Sequence, residues 1–211
     1  MPDEVSFGEP SFSHPEDSDI FSPARIRHFS QSVLNADAWF CAADELIAAM
    51  DLLEPHVERF WKSVRSLFLA VDKTSDVPSK QEKSDVVSKH NLVNQHMMLA
   101  GFAIENLCKG YLAGRLSHEE REDVQRAGVL PKSLKGHDIL NLVEQTGMTL
   151  SDTEKYLLKR ITEAVLWRGR YPSAISHERS RPFAQIGSDI RHIKTLLQKV
   201  RRHVRAKAKD S

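Results

Sequence analysis

Apolar residues recur at steps of three and four along most of this chain, the spacing that lines one face of an α-helix. From about Ser30, the positions Trp39, Ala43, Leu46, Met50 and Leu53 mark the first such face. Pro55 interrupts it, because proline has no N–H to give to the preceding turn. Phe60, Val64, Phe68 and Val71 then resume the period as a second helix or a kinked extension. Residues 72–83 are dominated by polar side chains and predict an exposed loop. A long helix is predicted from about Ser84 to Arg115. Its middle is apolar on more than one side (Leu92, Met98, Leu99, Phe102, Ile104, Leu107, Leu112), which marks it as the buried centre of a bundle.

Helix boundaries are written in the capping residues. Ser117 with Glu120, and Ser151 with Glu154, have the capping-box spacing. The first pair predicts a short helix that stops near Gly128. The second predicts one running through Leu157, Ile161 and Val165 to Trp167, ended by Gly169 and Pro172. Between them, His137 to Thr146 predicts a helix closed by Gly147. In the last helix Ile186, Ile190, Ile193, Leu197, Val200 and Val204 alternate steps of four and three, a seam that either packs within the chain or pairs with a partner. No segment alternates as a strand does. The expected fold class is all-α, a bundle of about five main helices over residues 29–206.

Charge changes this picture at the two ends. The formal net charge of the 211 residues is only +1, but residues 1–24 hold six acidic side chains, four prolines and no Lys or Arg. Residues 1–28 are therefore expected to form a disordered acidic arm. The segment from Arg191 to Lys209 is strongly basic, and residues 207–211 are expected to be a basic tail. That segment reads either as a surface for an anionic partner or as the solvated face of a terminal helix. Cys41 and Cys108 lie in apolar stretches and are expected to be small buried hydrophobes. The chain shows neither a signal peptide nor an apolar run of about 18 residues, so a cytoplasmic, non-membrane protein is expected. Cys-x-x-Cys and His-Glu-x-x-His patterns, a glycine-rich phosphate loop and a Gly-x-Ser-x-Gly elbow are all missing from the sequence. No metal or cofactor is therefore expected.

Three blocks carry the candidate chemistry. In the first, Ala103-Ile-Glu105-Asn-Leu-Cys-Lys109-Gly-Tyr-Leu112, an acid and a base stand one helical turn apart. The second, Gly136-His137-Asp138-Ile139-Leu140, opens a helix with His-Asp. The third sets Arg168, Arg170, Tyr171 and Pro172 at a helix end, with His177 following after a short interval. Read singly, these residues cap helices or fix their register. Read together, an Arg and a His on a helical scaffold can cleave RNA without a metal. The Arg fork binds phosphate with two donors and keeps its charge, and a His can take and return the 2′-hydroxyl proton.

In this order and spacing the blocks resemble the HEPN domain family of small helical bundles, over roughly residues 33–205. The resemblance implies a bundle that often dimerises and often acts on RNA, in settings such as toxin and defence systems where an antitoxin or regulatory protein is a partner. Active members carry an Arg, four to six intervening residues and a His, which Arg170 and His177 match with six between them. It implies a metal-independent endoribonuclease in which His177 is the general base or acid and Arg170 clamps the scissile phosphate. Arg168, Tyr171, His137, Glu105 and Lys109 are then candidates for substrate binding or support, and the basic last helix for holding the strand. In active members a small polar residue usually follows the Arg; here Tyr171 does, and Pro172 breaks any helix. The alternative is a non-catalytic HEPN-like module that binds a nucleotide, an RNA or a protein.

Overall fold

The computed structural model describes residues 23–74, 79–168 and 189–209. They form seven α-helices and no strand: α1 (Pro23–Leu34), α2 (Ala36–Thr74), α3 (Lys80–Ala113), α4 (His118–Ala127), α5 (Ile139–Gln145), α6 (Asp152–Glu163) and α7 (Asp189–Lys209). A 3₁₀ turn at Lys132–Leu134 precedes α5, and α6 runs on into a π-helical turn at Ala164–Arg168. The all-α class holds.

Several boundaries differ from the sequence reading. α1 starts at Pro23, the first-turn position where proline costs nothing, so residues 23–28 are helical rather than part of an acidic arm. α2 passes straight through Pro55 as one 39-residue helix. One missing backbone hydrogen bond is outweighed there by the burial of Met50, Val57 and Phe60 on either side. The helices continue to Thr74 and resume at Lys80, which shortens the loop expected over 72–83. At the other end, residues 207–209 belong to α7 and not to a separate tail.

α3 is the axis of the bundle. Ala100, Ala103, Ile104, Leu107 and Cys108 are fully buried in it, and α2, α5, α6 and α7 all pack around it. Close approach is possible because α3 carries glycines where its neighbours cross. A Cβ on Gly101 would collide with Val165 and come within 2.8 Å of Ile161 Cγ2; one on Gly110 would lie 2.8 Å from Phe40 Cε1. Gly101→Ala is therefore expected to cost about 1–3 kcal/mol through overpacking, despite alanine's better helix propensity. Urea unfolding checks it, and a neutral or stabilising result would mean that α6 simply moves aside.

The α7 seam is internal core: Ile193, Leu197, Val200 and Val204 are buried among α3 residues, and Ile190 joins Val57, Phe60 and Val93. Ile186 lies outside the described residues. Both expected capping boxes are present, at Ser117/Glu120 and Ser151/Glu154. Gly128 and Gly147 close α4 and α5 at φ of 60° and 73°, a backbone region that glycine enters without a Cβ penalty. Cys108 is buried as expected, and burial pushes its thiol far up from the ordinary range. Cys41 is exposed instead, on the side of α2 that borders α7 beside Asp37 and Asp44.

Candidate functional site

Two of the three blocks meet. Asp138 is the N-cap of α5, its side chain accepting a hydrogen bond from the Asn141 N–H at 3.1 Å. The Ile139 N–H in turn donates to Thr162 Oγ1 at 3.1 Å, which ties the start of α5 to the last turn of α6. This fixed entry places His137 over α3, where its Nδ1 lies 3.0 and 3.1 Å from the two oxygens of Glu105. On the inner side Lys109 Nζ donates to Glu105 Oε1 at 2.6 Å and lies 5.9 Å from the centre of the Trp39 ring.

Glu105 and Lys109 are both about 95% buried (5% and 4% exposed), whereas half of the His137 side chain is exposed. An isolated charge at such depth would be strongly disfavoured, so each needs the other. The ionised carboxylate is acceptor-only, and His137 Nδ1 must therefore be the donor. The Nε2 edge of the ring makes no bond to Glu105. The arrangement joins an orienting carboxylate to a half-exposed ring.

Trp39 is the residue that sequence reasoning missed here. It was read only as part of an apolar stripe, and nothing in the spacing shows that a ring 70 residues upstream of Lys109 would face an ammonium. Thr162 was likewise silent. Of the third block, the Arg168 backbone closes the π-helical turn, and Arg170, Tyr171 and His177 lie outside the described residues.

Four of the eight Lys and Arg side chains of α7 pair with carboxylates within the fold. Lys194 pairs with Glu54 at 2.7 Å, Lys199 with Glu154 at 2.7 Å, and Arg201 and Arg205 with Asp44 at 2.9 and 2.7 Å. The hydrogen bond to Glu54 holds the Lys194 ammonium above its ordinary pKa. Burial alone would raise the Glu154 carboxyl, but hydrogen bonds from Lys199 and Ser151 outweigh it and hold it below the usual range. α2 and α6 thus supply the counter-charges to the helix that the sequence offered as a strand-holding surface.

A second histidine is deeply placed. His96 on α3 is 2% exposed, and desolvation lowers its pKa although Glu54 and Asp51 pull the other way. Below about pH 6.5 the unfolded chain takes up a proton that folded His96 resists, so stability should fall as the pH drops through that point. The expected observation is a melting temperature that decreases between about pH 7.5 and 5.5 in the wild type and less so in His96→Gln. Equal slopes in both proteins would remove His96 from the account.

Among the described residues no three His, Cys, Asp or Glu side chains are grouped to hold a metal ion, and no helix is long and apolar enough to cross a membrane. Comparison with known proteins finds no matching family, no matching characterised protein and no matching solved structure.

Proposed function

We propose that this chain is a HEPN-like, RNA-directed protein that cleaves RNA without a metal, with Arg170 as the phosphate clamp and His177 as the general base or acid. The observation that carries the reading is the Glu105–His137 contact. It joins two blocks 32 residues apart that the resemblance groups by function, around a helix that could have been filled more cheaply with apolar side chains. The third block begins at the end of the π-helical turn that follows α6, six residues past the Thr162 that fixes α5. In this reading His137, Glu105 and Lys109 support the site, Arg168 and Tyr171 contact the strand, and two copies of the chain form the working dimer. A cytoplasmic toxin or defence role, with an antitoxin or regulatory protein as partner, belongs to the same proposal. The test is cleavage of end-labelled RNA in excess EDTA, giving fragments that end in 2′,3′-cyclic phosphate. Their loss in Arg170→Ala and His177→Ala supports the assignment; undiminished cleavage in either variant overturns it.

The second reading, a non-catalytic HEPN-like module for a nucleotide, an RNA or a protein, is favoured by the internal pairing of the α7 cations. Four of its basic side chains face carboxylates of the same chain, which weakens that helix as a strand-binding surface. Saturable binding without turnover would select it.

A further inference from the structure

Positive charge also collects away from α7. α1 and α4 pack against each other through Ser30, whose hydroxyl donates to the Val124 carbonyl at 2.9 Å. Alongside that contact runs a groove of about 990 Å³, at the upper end of ordinary ligand clefts. Its wall carries Arg27, Arg121 and Arg126, three carboxamides (Gln31, Asn35, Gln125), and no acidic side chain. Ile26, Leu34 and Pro23 give it apolar surface.

The three arginines differ in how they are held. Arg121 is fixed by the end of α3: its Nε donates to the Leu116 carbonyl at 3.2 Å, and its Nη2 to those of Ala113 and Gly114 at 3.0 and 3.2 Å. Its charge is pre-ordered, and Nη1 keeps its two N–H groups. Arg27 is exposed and forms no ion pair among the described residues. Arg126 pairs only with its near neighbour Asp123, and both side chains are mostly exposed, a contact of little net worth. Glu119, Glu122 and Asp123 line an adjoining acidic pocket on α4 that shares Gln125 and Arg126 with the groove, so an anion is favoured most at the Arg27 and Arg121 end.

We propose that the α1–α4 groove is a single-stranded RNA-binding surface, with Arg27, Arg121 and Arg126 on phosphates and Gln31, Asn35 and Gln125 available to base edges. This rests on the RNA-directed reading above and gives that reading a strand-holding surface outside α7. Guanidinium groups match phosphate in a bidentate fork, and carboxamides offer both donor and acceptor to unpaired bases. The wall lacks exposed aromatic rings for stacking, so modest affinity and strong salt dependence are expected.

The test is fluorescence anisotropy of a labelled oligouridylate with the full chain across a salt series, for wild type, Arg27→Ala/Arg126→Ala and Arg201→Ala. Both groove positions are exposed, and unchanged melting temperatures confirm folding. The proposal expects at least tenfold weaker binding at low salt in the double variant, with its log K against log[salt] slope shallower by about 0.7 per lost phosphate contact. Arg201→Ala should bind as wild type does. Wild-type binding unaffected by the double variant overturns the groove alone, and weakening by Arg201→Ala instead moves the strand to α7. An absence of wild-type binding at low salt overturns the RNA-directed reading together with the groove. Inorganic polyphosphate, added as competitor, separates the two contributions: full displacement at matched charge contradicts any reading of bases by the carboxamides.

Discussion

Glu105→Gln is expected to destabilise the fold by about 3–5 kcal/mol, although it preserves shape and one acceptor oxygen. The reason is Lys109, whose ammonium is 4% exposed and whose carboxylate partner lies 2.6 Å away. With a neutral amide in that place the buried ammonium keeps an acceptor oxygen and the Trp39 ring, 5.9 Å from Nζ, but no counter-charge. In a domain of this size the loss corresponds to a melting temperature lower by roughly 10 °C. The double change Glu105→Leu/Lys109→Met should recover most of it, since apolar residues of similar volume replace both charges at once. If single and double variants are equally unstable in urea unfolding, packing rather than charge governs the site. His137→Ala, by contrast, touches a half-exposed ring and should cost little stability. The histidine can therefore be tested for activity without unfolding the protein.

Asp189→Ala should be comparably severe, again about 3–5 kcal/mol. Asp189 opens α7, where the first-turn amides favour a negative charge, and both its oxygens receive the Arg160 guanidinium, one of them at 3.1 Å. The two side chains are only 9% and 10% exposed, so Arg160 would lose the carboxylate that balances its charge between α6 and α7. This pair joins the helix that leads into the third block to the helix that follows it. Asp189→Asn keeps an acceptor and should lose less than Asp189→Ala. The check is chemical unfolding with unchanged m-values, so that the midpoint shift reports stability alone. A loss below about 1 kcal/mol would show that solvent reaches Arg160 and that the pair is a surface contact.

How far the sequence reached depended on whether a signal was local. Capping boxes at Ser117 and Ser151, the Asp138 cap and the Ile190–Val204 seam are short-range patterns, and each is present in the fold. The burial of α3 followed from apolar residues on several of its faces. Pro55 left a second helix and an extension both open, because a local rule about backbone donors gives no weight to the tertiary contacts that carry α2 through it. Cys41 misled because its neighbours along the chain are apolar, while its neighbours in space are charged groups of α2 and α7. The ion pairs of α7 link residues from 45 to 161 positions apart, as in Lys199–Glu154 and Arg205–Asp44, and no spacing rule contains them. The meeting of Glu105 with His137 was foreseeable only as a shared site, not as a hydrogen bond.

The most direct measurement of the central claim is RNA cleavage by purified protein in excess EDTA, compared across wild type, Arg170→Ala, His177→Ala and His137→Gln. Metal-independent cleavage leaving 2′,3′-cyclic phosphate is predicted for the wild type. It should be lost in the first two variants and reduced in the third, with all four proteins equally stable. A folded wild type that leaves RNA intact at high concentration, or cleaves it equally well without Arg170 and His177, would contradict the account.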